Sequence, residues 1–117
     1  MKIGYILQLE GAAIFMGALV IYAQSGASWW LFGALILAPD LAMVGYGFGP
    51  KIGTFCYNLL HNYVLPAVFV VVGLYFAEIL YIHIVIIWIA HIGMDRAIQY
   101  GLKYNTGFKD THINRLN

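Results

Sequence analysis

Residues 79–100 read ILYIHIVIIWIAHIGMDRAIQY. This apolar run matches the ~20 residues that a helix needs to cross ~30 Å of hydrocarbon. It nevertheless holds His91, Asp95 and Arg96, side chains that a lipid-facing helix should exclude. Working outward, three further apolar runs have comparable length: Ile3 to Ala23, Trp29 to about Tyr46, and Ile52 to Phe76. Gln24-Ser25-Gly26-Ala27-Ser28 separates the first two as a polar turn, and the Gly-rich stretch Gly45 to Lys51, with Pro50, separates the next two. The third break, around Ala77-Glu78, is marked by little more than a charge. The pattern predicts an all-α membrane protein: a four-transmembrane-helix antiparallel bundle over residues 1–104, with helices at 3–23, 29–46, 52–76 and 79–100. Residues 105–117 are expected to form a cytosolic C-terminal tail, with turn signals at Asn105-Thr106-Gly107.

The composition fits. Apolar residues make up 62% of the chain and charged residues 9%, against the rough quarter typical of a soluble domain. A net charge of +1 leaves no basic stripe to neutralise phosphates, so no nucleic-acid partner is expected. The single cysteine, Cys56, excludes an internal disulfide. The first run carries Glu10 and is too long for a signal-peptide core, so a mature helix is expected there. With four crossings, Lys2, Lys51, Arg96, Lys103, Lys109 and Arg115, which are all the basic residues, fall on one face. The positive-inside rule makes that face cytoplasmic, with both termini on it. Trp29, Trp30, Tyr22, Tyr75 and Tyr81 would form the outer aromatic belt, and Tyr5, Tyr46, Tyr100 and Tyr104 the inner one. Ala13 with Gly17, and Gly26 at the start of the Trp29 helix, are candidates for close helix packing. No internal repeat is present.

The polar residues inside the apolar runs carry the chemistry, because each charge there costs at least ~2.5 kcal/mol. Counting ~1.5 Å per residue from the inner helix ends places Glu10, Asp40, His61, His91 and Asp95 at depths of ~8–14 Å. All five therefore share one layer. His91 and Asp95 lie four apart and share a helix face, as do Asn58, His61 and Asn62 at i, i+3 and i+4. Asp40 follows Pro39, which loosens the second helix. Asp40, His61, His91 and Asp95 together make two imidazoles and two carboxylates, a set suited to a divalent metal ion. Zinc is the leading candidate, with iron or manganese as alternatives. A cation would also offset the buried carboxylates. Simpler readings stand beside this one. In these, His91 and Asp95 are a hydrogen-bonded pair orienting the fourth helix, His61 is an interhelical donor, and Asn58 and Asn62 are polar glue or supports for ligands. Glu10 could pair with Arg96 or Lys103.

The order Pro39-Asp40, His61, and His91 with Asp95 resembles that of the zinc phospholipase C and P1 nuclease superfamily, and of bacterial membrane-bound metal-dependent hydrolases that carry a polar residue in the first helix, here Glu10. The resemblance implies hydrolysis at a metal. Those soluble enzymes hold a metal cluster with additional histidines, whereas this chain offers only outer-side His83, so at most one metal site is implied. Over its whole length the chain is similar to a family of small bacterial membrane proteins known as domain of unknown function 4260. The stretches Ala38 to Leu41, Tyr57 to His61, and Ala90 to Arg96 running on into Tyr100 to Tyr104 carry that similarity, which brings no activity with it.

Two functions are expected. The first is a metal-dependent hydrolase in the bacterial cytoplasmic membrane, acting on a lipid or other membrane-soluble substrate from the cytoplasmic leaflet. There Asp40, His61, His91 and Asp95 bind the ion, Glu10 moves the proton, Asn62 assists, and Arg96 with Lys103 steadies an anionic head group. The second is a non-enzymatic module, an ion or proton pathway or an assembly factor, whose polar network would require a homo-oligomer.

Overall fold

The computed structural model describes residues 2–106 and 110–116. The expected Gly107 turn signal and the basic residue Lys109 lie outside them. The order of elements is α1 (Ile3–Ser25), α2 (Trp29–Leu35), a 3-10 helix (Ala38–Phe48), α3 (Pro50–Leu60), α4 (Val64–Tyr75), α5 (Ile79–Ala97) and α6 (His112–Leu116). Three segments are long and apolar enough to cross a membrane: Ile3–Ser25, Trp29–Phe48 and Ile79–Ala97. Helices α3 and α4, bent by 43°, make a fourth crossing if they are counted as one broken span. The outer surface is apolar, as lipid requires, with Leu41, Val44, Phe48, Phe55, Val64 and Leu74 all exposed.

Helix α5 is the hub. It packs along α1 and against α4, and it buries Val85, Ile87, Ala90, His91, Ile92, Gly93 and Asp95. Its crossing with α1 is nearly backbone on backbone: a Cβ on Gly93 would lie 2.7 Å from the Gly11 carbonyl oxygen and 2.9 Å from the Phe15 nitrogen. Gly11 and Gly93 are therefore the small residues that permit close approach. Gly17, expected in that role, faces open space. Gly26 is likewise a left-handed helix cap at φ 72° and not a packing contact.

Two expected helices are broken, and proline accounts for both breaks. A proline ring clashes with the carbonyl four residues earlier and donates no hydrogen bond. Pro39 thus ends α2 at Leu35, and the chain continues as a 3-10 helix of 11 residues, where runs beyond ~4 residues are uncommon. Leu41, Val44 and Gly47 are exposed at every third position, the period that geometry dictates, and Phe48 is exposed at its end. At ~2.0 Å per residue against ~1.5 Å in an α-helix, α2 and the 3-10 helix together cover roughly 33 Å, enough for the hydrocarbon core.

Pro66 acts in the same way on the run expected to be continuous from 52 to 76. Helix α3 stops at Leu60 and α4 starts at Val64, with Pro66 in its first turn, where no amide donor is needed. The carbonyls freed by the break still need partners in a medium without water. Asn62 Nδ2 donates to the carbonyls of Asn58 (2.7 Å) and Leu59 (2.9 Å), Asn62 Oδ1 accepts from the Val64 amide (2.8 Å), and Trp88 Nε1 donates to Leu60 (2.7 Å).

The α4–α5 turn contains no glycine. Ala77 adopts φ 54°, and the Glu78 amide closes back onto the Gly73 carbonyl at 2.9 Å. Tyr22, expected in the outer belt, is instead wholly buried: its hydroxyl donates to the Ser28 carbonyl and its ring packs on Trp29 and Phe32. Helix α5 ends at Ala97, three residues before the expected boundary. The tail folds back onto the bundle: Lys103 pairs with Thr111 in an isolated antiparallel bridge, and Lys103, Thr111 and Ile113 are buried.

Candidate metal centre

Each broken helix presents one ligand. In a 3-10 pattern the Ile36 carbonyl would receive the amide of residue 39, but Pro39 has none. His91 Nδ1 donates to that carbonyl instead, at 2.6 Å. At the end of α3 the last turn tightens, and the His61 amide bonds to Asn58 (3.3 Å) in place of Tyr57. The freed Tyr57 carbonyl accepts from His61 Nδ1 at 2.7 Å. The Tyr57 ring stacks on the His61 ring at 3.7 Å, fixing its plane.

A carbonyl can only accept, so both Nδ1 atoms carry protons, and in the neutral rings both Nε2 atoms are lone pairs. These lone pairs point at each other. His61 Nε2 and His91 Nε2 are 3.1 Å apart. Asp40 Oδ1 lies 3.2 Å from the first and 3.1 Å from the second, and Asp95 Oδ2 lies 3.4 and 3.0 Å from them. Four acceptors thus converge in a site where His61 and His91 are buried and the Asp95 side chain is 10% exposed. Protonating one ring supplies a single N–H for three acceptors, and protonating both sets two N–H groups face to face at 3.1 Å. A cation at the centre resolves it. A tetrahedral ion with bonds of ~2.0–2.1 Å holds its donors ~3.3–3.4 Å apart, close to the separations observed here. The four donors lie within 4.8 Å of one another, and the group could hold a metal ion.

The surroundings divide by chemistry. Asp40 is the most open ligand, with its side chain 35% exposed. Beside it runs an apolar groove of about 210 Å³ lined by Leu35, Ala38, Pro39, Leu60, Ile84 and Trp88. On the other side, Asn58 holds the Lys103 backbone at two points: its Nδ2 donates to the Lys103 carbonyl (2.8 Å) and its Oδ1 accepts from the Lys103 amide (2.6 Å). The Lys103 ammonium sits over the Tyr57 ring at 4.4 Å. Burial holds it below its ordinary range, while Asp95 and Asp40 pull it upward.

The structure brings together Asp40, His61, His91 and Asp95 and leaves three expected catalytic residues outside the group. Glu10 is exposed on α1. Asn62 has both ends of its amide committed to the α3–α4 break. Arg96 points to the other side of α5, with its guanidinium 4.7 Å from the Tyr63 ring centroid. The roles of Tyr57 and Lys103 beside the ligands were legible only in part: Lys103 was expected near the inner face, whereas the Tyr57 stack had no signal in residue type or spacing.

The tail carries a pH-sensitive contact. His112 Nδ1 accepts the Leu102 amide at 2.8 Å. Burial, and then the Arg96 charge, push the imidazole below its usual value. The folded state therefore favours the neutral ring, and its contribution to stability is present above the ordinary imidazole value of ~6.5 and lost as pH falls below it. Asp110, held down at about 2 by hydrogen bonds from Arg115 and then Thr106, stays charged throughout that range. Thermal unfolding in detergent at pH 7.5 and 5.0 is expected to show a larger loss for the natural protein than for His112→Asn, whose side-chain oxygen accepts without titrating. Equal losses would refute the assignment.

The molecule is thus a helical protein with three to four candidate membrane spans and a buried His/Asp group suited to a metal ion. It belongs to the family described as Domain of unknown function (DUF4260), whose model matches residues 4–116. Neither a curated protein nor a solved structure matches the chain.

Proposed function

We propose that the chain is a metal-dependent membrane enzyme, a hydrolase acting on a lipid or other membrane-soluble substrate. The observation that carries the metal is the convergence of two imidazole lone pairs, 3.1 Å apart, with two carboxylate oxygens that each lie 3.0–3.4 Å from both ring nitrogens. Zinc suits the donor spacing and the mixed nitrogen and oxygen set, ahead of iron or manganese. The proposed topology is four crossings with the α3–α4 pair as one bent span and both termini cytoplasmic, supported by the lack of any Lys or Arg in the breaks at 24–28 and 77–78. A divalent ion there supplies a Lewis acid and a nucleophile at neutral pH.

The chain's own residues do the rest. Tyr57 and the Tyr57 and Ile36 carbonyls hold the two imidazoles in one tautomer and one orientation. Asp40, the most exposed of the four residues that would hold the ion, lies beside the apolar groove and is the one placed to take a proton on its carboxylate. Lys103 behind Tyr57 offsets the negative charge. Glu10 and Asn62 have no part in this version.

A second reading has its own support. Four protein donors close a tetrahedral shell, as structural zinc sites do, so the ion could instead tie the 3-10 helix, α3 and α5 together in a non-enzymatic module. Detergent-purified protein is expected to contain close to one equivalent of transition metal per chain by elemental analysis. Reconstituted with mixed phospholipids, it should consume intact lipid, and a chelator should stop it. Bound metal with no lipid consumed would favour the structural reading, and metal-free folded protein would end both.

A further inference from the structure

The α3–α4 break sends His61 toward the metal group and Tyr63 toward the opposite face, where a different set of groups meets. Tyr63 heads an open apolar groove of about 460 Å³ that continues along α4 past Val64, Ala67, Val68 and Val71. At its head the Arg96 guanidinium lies over the Tyr63 ring, 4.7 Å from its centroid. Both residues hold a polar atom out of solvent with nothing to bond: Tyr63 Oη and Arg96 Nε are buried without a hydrogen-bond partner among the described residues. Glu10, exposed on α1, bears on Tyr63 electrostatically, yet it forms no ion pair with Arg96 among those residues.

Leaving two donors buried and unsatisfied is costly, and more so where the surroundings are hydrocarbon. The compensating group must be an acceptor, must be anionic to suit a guanidinium, and must arrive attached to an apolar body that fills the groove below. A phosphate oxygen on a lipid meets all three demands. The residues that line the groove, Val64, Val68 and Val71, are exposed to that medium, and the groove is about two helical turns long from Tyr63 to Val71 at ~1.5 Å per residue. An acyl chain lying along α4 would put its head group at Arg96.

We propose that Tyr63, Arg96 and the α4 groove form a binding site for one anionic phospholipid, on the other side of α5 from the metal group. The site is separate from the proposed metal centre, so metal content reports on that reading and lipid retention on this one.

Native mass spectrometry of protein released from vesicles of equal phosphatidylglycerol and phosphatidylcholine tests it. The natural protein is expected to retain one phosphatidylglycerol per chain in preference to phosphatidylcholine. Arg96→Gln should lower that retention by roughly tenfold or more, as loss of a charge-assisted hydrogen bond implies. Tyr63→Phe, which keeps the ring and removes only the hydroxyl, should lower it by a smaller factor while leaving metal content and the thermal midpoint intact. Should Arg96→Gln fail to fold, Tyr63→Phe decides alone. Equal retention of the two lipids by the natural protein, or undiminished retention in the folded variants, overturns the proposal.

Discussion

Protein carrying His91→Ala is expected to lose its metal almost completely, to below about a tenth of an equivalent, and to unfold more readily by about 3–5 kcal/mol. The first effect follows from position: His91 Nε2 lies within 3.1 Å of three other donors, His61, Asp40 and Asp95, so its removal takes one corner from the group. Replacing residues that merely orient a ligand already costs tenfold to a hundredfold in metal affinity, roughly, and a ligand should cost more. The second effect follows from what remains. Asp95, largely buried, loses its closest partner, and an uncompensated charge in such a site typically costs that much. Alanine also leaves the Ile36 carbonyl without the imidazole donor that replaced the amide Pro39 lacks. Elemental analysis and denaturant titration of the same preparation check the two effects together. A variant as stable and as metal-rich as the natural protein would remove the basis for the metal centre.

Gly93→Leu is expected to destabilise the fold by about 3 kcal/mol or more, at the upper end of overpacking costs. The first atom of any side chain there meets the Gly11 carbonyl oxygen and the Phe15 nitrogen, both backbone, so no rotamer relieves it. Helices α1 and α5 would have to separate along the largest interface in the molecule. Because α5 carries His91 and Asp95, the separation should weaken metal binding as well. Gly17→Ala is the matched control: a Cβ there meets nothing within 4 Å, and the gain in helix propensity should stabilise by up to about 1 kcal/mol. Opposite signs for the two substitutions, read by thermal unfolding in detergent, are the expected result, and equal shifts would contradict the crossing.

The ligand group was legible in the sequence because a membrane makes polar residues conspicuous. Asp40, His61, His91 and Asp95 stand in apolar runs where each is expensive, and helical arithmetic put them at one depth. That shared layer made the four candidates for one site, whereas their convergence depends on the helix rotations, which depth does not give. The same arithmetic brought in Glu10, since depth says nothing about which way a side chain faces, and α1 turns Glu10 outward. Hydropathy also hid both helix breaks. Averaged over twenty residues, Pro39 and Pro66 barely lower an apolar signal, yet each removes a donor and expels a carbonyl. Pro66 was the missed cue, because its clash with the carbonyl four residues back falls on Asn62, where the chain bends. Asn62 was then expected to be catalytic for the same reason that it is polar and deep. Its amide is spent on the backbone groups that the bend releases. The Ala77 turn escaped for a different reason, as a left-handed alanine has no residue-type signature.

The long 3-10 helix has a mechanical consequence. Its 11 residues are drawn out by ~0.5 Å each relative to an α-helix, so rewinding them would shorten the segment by roughly 5–6 Å. Asp40 lies within that stretch, tied at one end by Pro39 and along its length by packing on α3. A thick bilayer favours the extended form and a thin one the compact form, because mismatch between apolar length and hydrocarbon thickness costs energy. Rewinding any part of the stretch between Asp40 and Phe48 would therefore draw on the packing against α3 that keeps Asp40 beside its three partners.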